Sequence, residues 1–220
     1  MSDAKHRDSK GKALDEYERP SVAVDTAVFS LSHDNALMVL EVRRPAGRGW
    51  ALPGTFLHKG ETLAKAVDRS LREKADVRGL RPRQFHVFDN PRRDHRGWVL
   101  SVAHIAVVQP HQLKSRRLNQ TRLAPARDPG ALPFDHPTIV ELALQDLQAR
   151  YADRPDPDGF LGNEFTLFEL RAAHEAVAGK SFQRDVFRRA MSRFVTPTGQ
   201  LKSEGRGRPA ETYRRQEVRA

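Results

Sequence analysis

A proline-rich segment near residue 155 constrains the fold of this chain more than any other sequence feature. It runs Asp153-Arg154-Pro155-Asp156-Pro157-Asp158-Gly159, and two prolines followed by a glycine cannot continue a helix. The chain has 220 residues, enough for two units that each bury a core. We therefore predict an N-terminal domain over residues 21–151, a linker over 152–160 and a C-terminal domain over 161–216.

The part before the linker combines strand and helix signals. Residues 1–20 are polar and charged without an apolar period, which predicts a disordered tail. Ser21 to Leu31 and Ala36 to Val42 are apolar runs separated by His33-Asp34-Asn35, which predicts a hairpin. Further strands are predicted near residues 50–52, 84–88 and 98–108, and the apolar spacing over 136–150 predicts a helix.

Two consecutive helix signals follow the linker. Thr166 and Glu169 have capping-box spacing, and Gly179 ends that helix. Ser181 is the predicted N-cap of the second helix, whose inner stripe is Phe182, Val186, Phe187, Ala190, Met191 and Phe194. Its open face presents Gln183, Arg184, Arg188 and Arg189. This pattern predicts a helix-turn-helix that places those four residues in a DNA major groove.

A glycine-rich loop between two short strand signals, residues 196–202 and 210–213, predicts a β-wing. Lys202, Arg206 and Arg208 are its candidate DNA contacts, because arginines flanked by glycine fit a narrow minor groove. A solvated basic hairpin is the alternative interpretation.

Positive charge concentrates at this same end of the chain. From Lys180 onward there are eleven basic residues against four acidic ones, a net +7 out of +10 for the whole sequence. That balance is typical of nucleic-acid binding, and an RNA-binding or scaffold protein stays open as an alternative. Cysteine is absent, and no apolar run approaches the roughly 18 residues that span a bilayer. The sequence thus predicts a cytoplasmic, nucleoid-associated protein without membrane contact.

Residues 54–77 form a turn-rich loop that runs into a helix. This segment resembles the Nudix box, G-x5-E-x7-R-E-U-x-E-E-x-G-U with U aliphatic. Glu61 and Arg69 stand at the first glutamate and the arginine of the box. In that family the pair is mainly structural, an ion pair that fixes the loop onto the helix.

The metal-ligand positions of the box are altered. In the family, three glutamates at i, i+3 and i+4 of the helix carry magnesium, and this chain has Ser70, Glu73 and Lys74 there. An ammonium about 5 Å from a dication costs roughly 7 kcal/mol at an effective dielectric of about 20. We therefore predict no metal, no cofactor and no catalytic residues. A hydrolase of nucleoside diphosphate derivatives is the alternative, and it needs a replacement ligand.

The order of motifs over residues 22–213 is similar to that of the Nudix-related transcriptional regulators, the NrtR-like proteins. The shared motifs include Asn90 to Trp98, Phe134-Asp135-His136, Phe165-Thr166-Leu167 and Gly207-Arg208-Pro209. This resemblance implies an α+β fold: an α/β/α-sandwich Nudix domain with a mixed sheet, followed by a C-terminal winged helix-turn-helix. It also implies a homodimeric repressor of NAD biosynthesis or salvage genes that binds a palindromic DNA operator and senses ADP-ribose or a related nucleotide.

Other members of that group respond to sugar metabolites, so a regulator of sugar metabolism with a different effector stays open. The candidate effector contacts are Arg43, Arg44, Phe56, Glu73, Arg93 and Arg96. Each arginine taken alone also fits a solvated surface charge. We further predict that the 136–150 helix transmits effector binding to the paired winged helices, whose half-sites lie about 34 Å apart or a multiple of that distance.

Overall fold

The computed structural model describes residues 7–45, 49–203 and 209–216. Its strands are β1 Ser21–Leu31, β2 Leu37–Arg43, β3 Trp50–Ala51, β4 Gly54–Phe56, β5 Arg83–Phe88, β6 Val99–Val107, β7 Thr121–Pro125, β8 Phe165–Thr166, β9 Val195–Lys202 and β10 Ala210–Arg215. Its helices are α1 Leu63–Ala75, α2 His136–Arg150, α3 Leu167–Ala178 and α4 Arg184–Met191.

The first seven strands form one mixed sheet. Its order is β3-β2-β1-β6-β5, with β4 added to β1 and β7 added to β2. β1 and β6 run parallel, and the other pairs are antiparallel. The predicted hairpin is confirmed, with Phe29 opposite Val39 across β1 and β2.

Helices cover both faces of this sheet. Side chains alternate along β1, so Val24 and Val28 pack with Val67 and Leu71 of α1. Phe29 faces the other way and shares a core with Ile139 of α2. The layers therefore form the expected α/β/α sandwich around a mixed sheet.

The C-terminal unit consists of α3, α4 and a three-stranded sheet of order β8-β10-β9. The capping box of Thr166 and Glu169 and the left-handed C-cap at Gly179 are confirmed. β9 and β10 pair in antiparallel fashion as the arms of the predicted wing. The fold class is thus α+β with a C-terminal winged helix.

The second helix starts later than predicted. Its N-cap is Gln183 rather than Ser181, because α3 holds Phe182 in a loop: Phe182 N–H donates to Glu175 and Phe182 C=O accepts from Arg171. The predicted inner stripe is consequently wrong at two positions, since Val186 is 50% exposed and Ala190 is exposed. Both line a cavity of about 510 Å³ beside α2 and α3.

The predicted disordered tail differs from the structure where it is described. Arg7 and Ala13 form an isolated antiparallel β-bridge, and residues 14–16 form a short 3-10 helix. Residues 1–6 lie outside the described part. Across the residues the structure describes, no helix has the length and apolar character needed to cross a membrane.

Candidate functional site

Gly54 and Asp25 meet where β4 pairs with β1. A Cβ on Gly54 would lie 2.0 Å from the Asp25 carboxylate, a distance that no side chain tolerates. Only glycine therefore fits at residue 54, at the entrance to the loop that carries the box-like motif.

The ion pair of that loop is present as predicted. The Arg69 guanidinium donates to both Glu61 carboxylate oxygens at 2.9 and 2.8 Å, and also to Thr55 Oγ1 and Phe56 O. Its hydrogen bonds to Glu61, joined by that of His58 N–H, lower the pKa of this carboxyl to about 2. The loop is thus tied to α1 from several sides.

The metal-ligand positions do not form a metal site. Ser70 is 1% exposed and its hydroxyl has no partner among the described residues. Glu73 is exposed beside Arg72, and Lys74 Nζ donates to Gly54 O. Nowhere in the described ranges do three His, Cys, Asp or Glu side chains converge as a metal site requires. The magnesium that the box implies therefore does not fit these residues.

A cavity of about 670 Å³ opens above this region. All six predicted effector contacts line it: Arg43, Arg44, Phe56, Glu73, Arg93 and Arg96. At one wall the Arg96 guanidinium lies 4.9 Å from the ring centre of Phe134 and 5.4 Å from that of Phe56. This wall offers aromatic and guanidinium surfaces to a planar ligand.

The predicted arginines differ in what they can offer a ligand. Arg93 has a side chain only 5% exposed and donates to both Asp135 oxygens at 2.8 and 2.5 Å, so it is a buried support rather than a free phosphate contact. Arg96 is bound to Asp94 and lowers the pKa of that carboxyl to about 2. The Arg43 guanidinium lies 5.5 Å from the ring centre of Trp50, a cation–π contact.

Sequence reasoning missed the polar floor of the cavity. Asp25 accepts a 2.6 Å hydrogen bond from Ser101 and lies 3.3 Å from His136 Nε2 and 3.6 Å from Arg93. Burial opposes ionisation of Asp25, but the hydrogen bonds of His136 and Ser101 and the charge of Arg93 outweigh it and keep the pKa of this carboxyl below its usual value. The one available signal was a lone carboxylate inside the apolar run of β1.

His136 connects this floor to α2. Leu52 N–H donates to His136 Nδ1 at 3.0 Å, which leaves the ring proton on Nε2, towards Asp25. Phe134, two residues earlier, forms part of the cavity wall. The N-terminus of α2 is therefore part of the cavity lining.

At its other end, α2 leads into a buried hub at Asp156. The Asp156 carboxylate accepts from Tyr151 O–H at 2.5 Å, from Phe160 and Leu161 N–H at 2.8 and 2.9 Å, and from Arg215 of β10. Asp156 N–H donates to His174 of α3 at 3.3 Å, and burial lowers the pKa of His174 to about 4. The carboxylate of Asp156 thereby joins the end of α2, the linker and the wing, and its backbone N–H adds α3.

The predicted DNA contacts on α4 and at its N-cap are open to solvent. The side chains predicted to contact DNA from this helix are all exposed: Gln183, Arg184, Arg188 and Arg189. Lys202 is 2.5 Å from the capping residue Glu169, so part of its charge is neutralised. Arg206 and Arg208 lie outside the described residues.

The chain is similar in sequence to proteins of known function. Residues 159–215 match the family described as the NrtR DNA-binding winged helix domain. The ADPR responsive transcriptional repressor NtrR of Acinetobacter baylyi is 30% identical over 210 residues, which cover 90% of this chain and 83% of that protein. The ADP-ribose pyrophosphatase of Methanocaldococcus jannaschii is 34% identical over 144 residues, 62% of this chain and 79% of that enzyme.

Solved structures of Shewanella oneidensis NrtR resemble both parts of the chain. Its complex with a 27mer DNA matches with a TM-score of 0.74 and 33% identity over 89% of this chain and 93% of that one. Its NUDIX domain in complex with ADP ribose matches with a TM-score of 0.53 and 30% identity over 63% of this chain and 95% of that one. With this agreement over nearly the full length, the chain belongs to the NrtR family of Nudix-related regulators.

Proposed function

We propose that the protein is a DNA-binding transcriptional repressor whose Nudix domain senses ADP-ribose or a closely related nucleotide without hydrolysing it. The observation that carries this proposal is the pairing of a ligand-sized cavity, where the described residues form no three-ligand metal cluster, with a winged helix whose second helix is basic and exposed. The relatives that match nearly the whole chain are a repressor and a DNA-bound regulator.

The proposed DNA contacts follow from the exposed surface of α4. Arg184 and Arg188 are four residues apart and therefore lie on one side of the helix, with Gln183 and Arg189 flanking them. In a major groove, arginine recognises guanine by paired hydrogen bonds. Lys202, Arg206 and Arg208 of the wing would follow the phosphate backbone or the minor groove. A homodimer that binds a palindromic operator presents two such surfaces.

The proposed effector contacts divide by chemistry. Phe56, Phe134 and Arg96 offer a stacking surface for a base, and Arg43, Arg44 and Lys74 bring positive charge to the same cavity. A volume of about 670 Å³ lies within the range of roughly 300 to 1,000 Å³ found for ligand sites. A dinucleotide-like molecule with a negative diphosphate suits this lining.

We propose that α2 carries the regulatory signal. Its N-terminal His136 lines the cavity, and Tyr151, at its C-terminal end, binds Asp156, which holds the wing through Arg215. A ligand that shifts α2 would therefore change the pose of the winged helices and break the register of the two half-sites. NAD biosynthesis or salvage genes are the proposed targets, in the cytoplasm where the nucleoid lies; control of sugar genes is the alternative.

Hydrolysis is the second candidate, because the archaeal relative is a pyrophosphatase. The loss of glutamates at residues 70 and 74 opposes it. Incubation with ADP-ribose and Mg²⁺ or Mn²⁺ tests it directly: we expect no AMP or ribose 5-phosphate above a protein-free control. Turnover that disappears in Glu73→Gln would favour the hydrolase.

The deciding experiment is a gel shift at a stated salt concentration on the protein's own upstream region and on NAD-biosynthesis promoters. We expect a specific shift that ADP-ribose releases. A specific shift that ADP-ribose leaves unchanged would keep the regulator and reject this effector. The absence of any specific shift, with retention of single-stranded RNA, would reject the DNA-binding proposal.

A further inference from the structure

Lys74 stands where the Nudix box has a metal-binding glutamate, and it lines the same cavity. Nζ donates to Gly54 O, and the Asp25 carboxylate occupies the space beside Gly54 that a side chain would need. Residue 74 is exposed overall and lines the cavity. A cationic group is thus held at the cavity wall while staying accessible to a ligand.

No carboxylate of the described residues pairs with the Lys74 ammonium. The two acids that act on it electrostatically are Asp25 and Glu73. Asp25 pairs with Arg93 and His136, and Glu73 pairs with Arg72. In the described ranges, no salt bridge forms at Lys74. This contrasts with Arg93 and Arg96, whose guanidinium groups are bound to Asp135 and Asp94.

The surroundings of the ammonium increase its strength as an anion partner. Nearby protein atoms desolvate Lys74 and lower its pKa, while the charge of Asp25 acts in the opposite direction. An incompletely hydrated cation gains more from meeting an anion than one in bulk water does. A lysine ammonium is also a compact point charge, suited to several phosphate oxygens at once.

We propose that the Lys74 ammonium is a built-in cation that replaces the metal of the Nudix site and binds the diphosphate of the effector directly. The proposal rests on the function proposed above and adds its chemistry: effector binding does not depend on divalent metal. It also explains why both residue 70 and residue 74 depart from the glutamates of the box: an ammonium at residue 74 would repel a dication about 5 Å away, so the remaining metal ligands lose their use.

Calorimetric titration with ADP-ribose, in EDTA and in Mg²⁺, tests the inference. We expect wild-type affinity to be equal in the two buffers. Lys74→Met should bind at least ten-fold more weakly in both. The matched control is Lys65→Met, which removes an exposed lysine of α1 outside the cavity and should bind like wild type. Lys74→Glu should bind weakly in EDTA and regain affinity in Mg²⁺.

Two results would overturn the inference: wild-type binding that requires Mg²⁺, or a folded Lys74→Met variant that binds like wild type. If Lys74→Met does not fold, Lys74→Gln replaces it in the titration, with its fold verified by circular dichroism. A titration with inorganic pyrophosphate in EDTA separates this inference from the effector assignment. If ADP-ribose fails to bind, pyrophosphate that binds wild type but not the variant upholds the role of Lys74, whereas pyrophosphate that binds neither rejects it.

Discussion

Asp156→Asn removes the charge from the carboxylate that joins the two units of the chain. Asp156 has φ +46°, a left-handed conformation that asparagine adopts as readily as aspartate does. The substitution therefore changes the hydrogen bonding of the hub without adding backbone strain.

The magnitude follows from the four donors around the carboxylate. They are Tyr151 O–H, the Phe160 and Leu161 N–H groups and the Arg215 guanidinium. The amide at residue 156 keeps one oxygen that can still accept from some of these donors. Its NH₂ group faces the remaining donors, which lose their acceptor. A lost bond to a charged group costs about 1.5 to 3 kcal/mol, and a buried unsatisfied donor costs about 1 to 3 kcal/mol. Because Arg215 is partly exposed and regains water, we expect a total loss of about 3 to 4 kcal/mol.

Urea unfolding followed by circular dichroism measures this loss. With a slope of about 2 kcal/mol per molar urea, the midpoint should fall by roughly 1.5 to 2 M. Asp153→Asn is the matched control, since it changes an exposed aspartate of the same linker and should stay within about 0.5 kcal/mol of wild type. Tyr151→Phe removes a single donor to the carboxylate and should cost about 1.5 to 3 kcal/mol, the range for one hydrogen bond to a charged group.

The same variant tests the regulatory route. If α2 signals through Asp156, Asp156→Asn should still bind ADP-ribose, while its operator affinity should respond to that ligand less than wild type does. An Asp156→Asn protein as stable as Asp153→Asn would refute the hub. A destabilised variant that keeps the full ADP-ribose response would refute only the route through it.

Three further predictions follow from individual contacts. Glu61→Gln should lower the melting temperature at pH 7. The folded pKa of Glu61 is depressed to about 2, so the stability that its ionised carboxylate contributes is present above about pH 4.5 and is lost as the pH falls towards 2. The difference in melting temperature between variant and wild type should therefore shrink over that pH range. The folded pKa of His174 is lowered to about 4, so as the pH falls the unfolded chain takes up a proton at His174 before the folded chain does. The free energy of unfolding should therefore fall by up to about 3 kcal/mol between pH 6.5 and 4. His174→Gln should remove this pH dependence, and an unchanged dependence would exclude His174 as its source. Arg188→Ala or Arg189→Ala should weaken operator binding by about 1 to 3 kcal/mol in a gel shift, with Arg154→Ala as the exposed control; unchanged affinity in both variants would remove α4 from the groove.

Local signals in the sequence determined the secondary structure well. The capping box at Thr166, the helix end at Gly179 and the hairpin of β1 and β2 each depend on residues close together in the sequence, and each appears in the structure. The ion pair of Glu61 and Arg69 was predicted from the resemblance to the Nudix box, and the structure contains it. The start of α4 was not, since Phe182 is held by two side chains of α3.

Charge partners across the fold were decided only by the tertiary structure. In the sequence, Arg93 and Lys74 are two basic residues of equal standing. In the fold, Arg93 is bound to Asp135, 42 residues away, whereas Lys74 lines the cavity with no carboxylate of the described chain paired to it. The sequence by itself therefore determined most of the helices and strands and which glutamates of the box are missing. Which cations stay free for a ligand depended on the packing of β1, β4, α1 and α2, because an ion pair between distant residues leaves no periodic or local pattern to read.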